Sequence, residues 1–199
     1  MISIRIFGFR ISVSVGFVGV IALVLYIDQT GFMLPTLEAT FLHEAGHLFA
    51  MCLFGYRPES LTLKIGAAQI GVGFGATLKE ELLIILAGPF FNLFFCQIYF
   101  VAYYYSGIEE LLIRCLVMLT VGCFHLLPVQ GLDGGSVLYC LLAGRCGEQK
   151  LRYVLRTVSL ACCAAIFCLG VAVFWESGWN PSLILLSVYL LIGELIQAG

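Results

Sequence analysis

Charged residues are scarce in this chain, and several features that mark common protein classes are missing. Only 11% of the 199 residues are charged, and the 10 basic and 12 acidic residues form no patch of one sign. This excludes the basic surface that nucleic-acid binding requires. The nine cysteines are odd in number and include no C-x-x-C pair. That spacing argues against a disulfide framework or a thiolate zinc site and favours small, reduced hydrophobic residues.

Long hydrophobic runs take the place of charge. The chain is 61% hydrophobic with a mean hydropathy of +1.05, values typical of an integral membrane protein. Since about 20 apolar residues cross a bilayer core, we predict an all-α membrane protein with six transmembrane helices. The runs are Ile11–Ile27, Leu34–Phe54, Leu82–Tyr105, Leu111–Ala143 with an interruption at Pro128, Tyr153–Trp175 and Ser182–Gln197.

The distribution of positive charge predicts the orientation of these runs. With a cytoplasmic N-terminus, six crossings place nine of the ten Lys and Arg residues on the cytoplasmic side, as the positive-inside rule favours. We therefore predict that both termini are cytoplasmic. The second and fourth spans then run in the same direction, with His47 ten residues before Arg57 and Asp133 twelve before Arg145. His47 and Asp133 are expected at a similar depth.

The segment His43-Glu44-Ala45-Gly46-His47 lies inside the second hydrophobic run. Positions i and i+4 share one face of a helix, so His43 and His47 can ligate one metal ion. Zinc with three protein ligands and one open position activates water, and a neighbouring glutamate serves as general base. The pattern predicts one Zn²⁺ per chain, with Glu44 as the catalytic base.

A third ligand is found by elimination. The chain has two aspartates, Asp28 in an outer connection and Asp133 in the fourth run. A carboxylate at membrane depth is costly unless it is paired or bound to metal, which favours Asp133. His125 remains open as a competing ligand, a donor to a ligand, a residue that orients substrate, or a histidine bonded to a carbonyl. Pro128 and the glycines around Asp133 predict an interrupted helix that admits water.

A β-hairpin is predicted after the second span. Leu61–Ile65 alternates apolar with polar residues and Ile70–Phe74 alternates apolar residues with glycine, so the hairpin would be re-entrant or interfacial. A transmembrane helix hides its peptide bonds, and an exposed strand edge can hold an unwound substrate by β-augmentation. Ile70 and Val72 are candidates for this contact, although a glycine-rich loop fits the segment almost as well.

These motifs resemble the site-2 protease family of intramembrane zinc metalloproteases. The resemblance covers residues 34–143 and has three ordered elements: HEAGH, Ala87-Gly88-Pro89-Phe90-Phe91-Asn92, and Pro128 to Leu132-Asp133-Gly134-Gly135. It implies His43, His47 and Asp133 as zinc ligands and Glu44 as the base. Asn92 is a candidate for substrate binding or for a polar contact between spans. The family usually has asparagine at the position of His125, which is therefore a further candidate for substrate positioning.

The resemblance also implies an organisation and a partner. We expect one membrane-embedded peptidase domain over residues 1–199, with a catalytic core at 34–143 and flanking spans at 1–33 and 144–199. Length and layout are most similar to the sporulation branch, whose members release a membrane-tethered sigma-factor precursor. The expected substrate is a membrane protein with a transmembrane or membrane-associated segment, and a separate membrane protein is a candidate regulator.

Two other functions compete with this hypothesis. A metalloprotease of another family would complete HExxH with a downstream glutamate, but the chain offers no convincing glutamate at the right depth. A non-catalytic metal-binding membrane protein or transporter would not require a base at Glu44.

Overall fold

The structure is a computed structural model that describes residues 2–6, 9–13, 26, 28, 31–56, 58–64, 67–72, 76–176 and 181–197. This part of the chain contains six helices and four strands, and the chain divides into two compact units, Met1–Cys123 and Phe124–Gly199. The elements are β1 (Ile2–Ile6), β2 (Phe9–Val13), α1 (Met33–Leu53), β3 (Pro58–Lys64), β4 (Ala67–Val72), α2 (Leu78–Ser106), α3 (Glu109–His125), α4 (Asp133–Leu142), α5 (Glu148–Glu176) and α6 (Ser182–Gln197).

From Leu34 onward, helices occupy the hydrophobic runs in the described part of the chain, apart from the interruption after His125. The run Leu34–Phe54 is helix α1 to within one residue at each end, and the run Ser182–Gln197 coincides with α6. Two helices, α2 and α5, are long and apolar enough to cross a membrane by length and composition, and α6 contains a shorter apolar stretch. Six crossings and the orientation of the termini stay predictions.

The beginning of the first predicted span is wrong. Residues Phe9–Val13 form strand β2, which pairs antiparallel with β1, so the helix predicted from Ile11 does not begin there. The signal was present in the sequence, because Ile2–Ile6 and Phe9–Val13 both alternate apolar with polar residues, the period of a strand rather than a helix. Residues 14–25 and 27 of this predicted span lie outside the described residues.

Strands also occur where the hairpin was predicted. Strand β3 pairs antiparallel with β4, joining Leu61 to Ile70 in register, and β2 pairs in parallel with β3. The sheet order is β1-β2-β3-β4. Strand β4 begins at Ala67 and ends at Val72, so the second arm is shifted towards the N-terminus relative to the prediction. The chain therefore builds a larger sheet than a single hairpin.

Polar residues bring the two ends of the β3–β4 segment together. Thr77 caps helix α2, and its side chain and backbone N–H exchange hydrogen bonds with Glu80, which forms a capping box. The hydroxyl of Tyr56, just after α1, donates to the same Glu80 carboxylate at 2.9 Å. This hydrogen bond raises the pKa of Tyr56 above its usual value. The end of α1 and the start of α2 are thereby joined.

Within the first unit, α1 and α2 pack at unusually short range. A Cβ atom at Gly46 would lie 2.6 Å from the carbonyl oxygen of Ala87, so only glycine allows this approach. Small residues permit such backbone contact between membrane helices. A buried cluster accompanies it, formed by Ala39, Cys96, Cys115 and Met118.

Within the second unit, α5 and α6 form the main packing surface. A Cβ atom at Gly170 would lie 2.9 Å from the backbone nitrogen of Ile184, so these helices also meet closely. The core of this unit contains Val129, Cys163 and Leu190. Val129 comes from the irregular segment between α3 and α4, which this core therefore anchors. None of the nine cysteines is in a disulfide.

Candidate metal centre

Two histidines of helix α1 form the centre of the candidate site in the first unit. One helical turn separates His43 from His47, and their Nε2 atoms are 3.2 Å apart. The two residues are buried, with exposed fractions of 1% and 8%. Two nitrogens bound to one tetrahedral zinc at about 2.0–2.1 Å would be separated by about 3.3 Å. The spacing of this pair therefore fits two ligands of one ion.

The protonation of His47 is determined by a backbone contact. Its Nδ1 lies 2.9 Å from the carbonyl oxygen of Ile84 on α2. Because a carbonyl oxygen only accepts, Nδ1 must carry the proton and donate it. In a neutral imidazole this leaves the lone pair on Nε2, the atom that faces His43. Metal-binding histidines are commonly oriented by such a contact.

Asn92 lies beside the other histidine. Its side chain is fully buried, its amide nitrogen is 3.5 Å from Nδ1 of His43, and its amide oxygen has no hydrogen-bond partner among the described residues. Amide nitrogen and oxygen are assigned from the hydrogen-bond network. Rotating the amide by half a turn lets the oxygen accept from Nδ1 of His43. This contact supports a role in orienting His43, a polar contact between helices of the kind that the sequence offered as the alternative to substrate binding.

Gly88 has no side chain, and the imidazole rings of His43 and His47 occupy the space where its Cβ would lie. A Cβ atom at this position would lie 2.5 Å from Cε1 of His47 and 2.9 Å from Cε1 of His43. No site role for Gly88 was predicted from the sequence. Its position four residues before Asn92 was a signal, since residues four apart share one helix face.

Glu44 follows His43 directly on α1. Its side chain is partly buried, and it lies next to the imidazole pair along the helix. The predicted strand residues Ile70 and Val72 belong to β4, where Ile70 pairs with Leu61 and Val72 with Pro58. Their side chains lie outside the described part of the structure.

The second unit brings His125 and Asp133 together. Helix α3 ends at His125 and helix α4 begins at Asp133, which confirms the predicted interruption of the helix. Nδ1 of His125 lies 3.4 Å from Oδ2 of Asp133, and both side chains are mostly buried. The two residues therefore flank the irregular segment and meet across it.

Glycines allow this segment to fold back on the start of α4. Gly131 has φ of 91°, a conformation that residues with a Cβ rarely adopt. A Cβ at Gly134 would collide with the carbonyl oxygens of Leu126 and Leu127, and one at Gly135 would lie 2.8 Å from the carbonyl carbon of Val129. Backbone thus packs against backbone directly beside Asp133.

Comparison with solved structures identifies the class of fold. The chain superposes on the site-2 protease from Methanocaldococcus jannaschii with a TM-score of 0.71 and 22% sequence identity, over 100% of this chain and 96% of that one. The chain therefore has the site-2 protease fold. No protein-family model matches it.

A particular relative is found by sequence. The chain is 25% identical over 143 residues to stage IV sporulation protein FB of Bacillus subtilis (strain 168), an alignment that covers 68% of this chain and 49% of that protein. The chain thus spans about half the length of this curated relative. Both comparisons agree with the resemblance to site-2 proteases, and the sequence match agrees with the sporulation branch.

Proposed function

We propose that this protein is an intramembrane zinc metalloprotease. The observation that carries the proposal is the His43–His47 pair, with Nε2 atoms 3.2 Å apart and the Nδ1 proton of His47 donated to the Ile84 carbonyl. The lone pair of His47 Nε2 is thereby available to a metal ion, and Nε2 of His43 lies beside it. The site-2 protease fold of the chain supports the same function.

His43, His47 and Asp133 are the proposed zinc ligands. Two imidazoles and a carboxylate form a donor set that suits zinc in a hydrolytic site and leaves a position open. Bound there, zinc would polarise the scissile carbonyl and lower the pKa of water at that position. His125, which contacts Asp133, would orient that carboxylate rather than replace it.

Glu44 is the proposed general acid and base. Its carboxylate would take the proton of the attacking water and return it to the nitrogen of the leaving amine. It adjoins His43 on the rigid helix α1, so the base and a ligand are held by one element.

The proposed substrate is a membrane protein whose transmembrane or membrane-associated segment is unwound near the cleaved bond. Strand β4 ends the order of the described sheet, and pairing along its edge would hold the substrate extended. Ile70 and Val72 are the proposed contacts. The similarity to a sporulation protein supports the sporulation branch, and the substrate proposed on that basis is a sigma-factor precursor. A separate membrane protein is the proposed regulator.

The proposal includes the setting of the enzyme. Six crossings are proposed from the hydrophobic runs, and cytoplasmic termini from the charge distribution. The similarity to a Bacillus subtilis protein supports a location in a bacterial cell membrane. The helices α2 and α5 support membrane insertion. The two units would act as one peptidase domain.

Metal content is the first test, because it requires no knowledge of the substrate. We expect about one zinc per chain in the detergent-purified protein, lost in Asp133→Ala and kept in His125→Ala. Loss in His125→Ala with retention in Asp133→Ala would move the third ligand to His125. A folded wild-type protein that binds no zinc would contradict the proposed zinc metalloprotease.

Cleavage is the second test. Glu44→Gln should keep zinc but lower cleavage of a co-expressed membrane-tethered sigma-factor precursor by at least about 100-fold, the usual effect of removing a general base. Unchanged turnover in Glu44→Gln would show that this carboxylate is not the base.

A further inference from the structure

A buried carboxylate on the last helix is unexplained by the proposed chemistry. Glu194 of α6 is 2% exposed, and its Oε2 accepts a hydrogen bond of 2.8 Å from the hydroxyl of Ser159 on α5, which is fully buried. Carboxylates in such surroundings are costly and tend to mark functional positions. No role for Glu194 is predicted from the sequence.

Ser159 connects this carboxylate to the segment that carries Asp133. Its hydroxyl oxygen accepts a hydrogen bond of 3.2 Å from the backbone N–H of Gln130. A serine hydroxyl has a single proton, and here that proton is given to Glu194. The lone pairs of Ser159 thus remain for Gln130, and each hydrogen bond polarises and strengthens the other.

Gln130 is held on a second side by the start of helix α4. A Cβ atom at Gly135 would lie 3.1 Å from the backbone nitrogen of Gln130, so the two backbones are in contact. The neighbouring Val129 is fully buried against Cys163 and Leu190. Gln130 lies three residues before Asp133, and little freedom remains between them.

We propose that Glu194 and Ser159 are positioning residues that hold the Gln130 amide and, through it, set the direction of Asp133. The proposal rests on the proposed function, in which Asp133 binds metal. Neither residue touches the reacting atoms. A general packing role for the pair would stabilise α5 and α6 without changing the geometry of the metal ligands.

Cobalt binding distinguishes these two roles. Co²⁺ would be titrated into the metal-free full-length protein in detergent, and its visible absorption bands would report ligand geometry. We expect Ser159→Ala and Glu194→Leu to weaken Co²⁺ binding about tenfold, the lower end for residues that support metal ligands, and to shift the bands. Glu194→Gln should bind as the wild type does, because its amide oxygen still accepts from Ser159.

Ser187→Ala is the matched control. Ser187 is also a fully buried serine, lies on the same helix as Glu194, and donates only locally, to the Ile184 carbonyl at 2.7 Å. It should leave affinity and spectrum unchanged. Equal changes in Ser187→Ala and Ser159→Ala would overturn the proposal in favour of general packing.

Two further outcomes separate this inference from the proposed function. Wild-type affinity and spectrum in both Ser159→Ala and Glu194→Leu would overturn the positioning role and leave the metal centre standing. Failure of the folded wild-type protein to bind Co²⁺ would overturn the proposed metal centre, and the positioning role with it.

Discussion

Helix α1 and the segment between α3 and α4 present their candidate ligands in different ways. His43 and His47 lie on a continuous helix, where the four-residue spacing already directs both rings to one side. Asp133 stands at the junction of irregular backbone and a new helix, and its surroundings include close backbone contacts at Gly134 and Gly135. To position its ligands, helix α1 needs neighbours that leave room for the imidazole rings and orient them. The irregular segment needs neighbours that restrain its backbone.

The largest loss of zinc affinity is expected at Gly134, where an added Cβ atom would collide with backbone. In Gly134→Ala the new Cβ would collide with the carbonyl oxygens of Leu126 and Leu127, which cannot rotate away as a side chain can. We expect zinc affinity to fall by more than about 100-fold. Overpacking typically costs about 1–3 kcal/mol and occasionally more, and a collision with backbone carbonyls belongs at the upper end of that range. Zinc competition titration measures the change, with circular dichroism to monitor the fold.

Gly147→Ala is the control for this prediction, because a Cβ at Gly147 meets nothing within 4 Å. It should retain wild-type zinc affinity. Wild-type affinity in Gly134→Ala would show that the segment tolerates movement and that the contrast with α1 is not real.

A smaller loss of zinc affinity is expected from a substitution beside the His43–His47 pair of helix α1. The Cβ of Gly88→Ala would press on both imidazole rings, but rings can shift on their side-chain torsions. We expect zinc affinity to fall about tenfold to 100-fold, with helix content retained, as measured by the same titration. Gly193→Ala, with open space around its Cβ, should bind zinc normally. An effect at Gly193 as large as that at Gly88 would contradict a local cause.

The smallest loss of zinc affinity is expected at Asn92, which orients only the imidazole ring of His43. Asn92→Ala removes the proposed acceptor for Nδ1 of His43, and zinc affinity should fall about tenfold. Asn92→Asp keeps an acceptor oxygen and should retain affinity closer to the wild type. If Asn92→Asp binds zinc as poorly as Asn92→Ala, Asn92 donates to His43 rather than accepting from it.

Local patterns predicted much of the helical structure. The apolar run around HEAGH became α1, and the proline and glycines after His125 interrupted the helix as expected. The start of the first predicted span is wrong, because the strict alternation in Phe9–Val13 favours a strand over the helix that its apolar composition suggests. Strand pairing between β2 and β3 joins segments about 50 residues apart, a contact that no local pattern contains.

The candidate site was likewise predicted only in part from the sequence. The spacing of His43 and His47 and the identity of Glu44 and Asp133 as candidates came from the residues themselves. Asn92 was a candidate, but its contact with His43 in particular was not predicted, and Gly88 was named only as part of the Ala87–Asn92 motif. Glu194 was passed over because a single glutamate near a helix end carries no pattern that distinguishes a buried side chain from a solvated one.

The sequence by itself determined the hydrophobic runs, the i and i+4 histidine pair, and the break before Asp133, because each depends on residues close together in the chain. Tertiary structure decided which groups complete those features. Contacts of His47 with Ile84, His43 with Asn92, and Ser159 with Glu194 span 37, 49 and 35 residues. Only packed helices bring such distant groups within hydrogen-bond range, since the direction and protonation of a buried side chain depend on its neighbours in space.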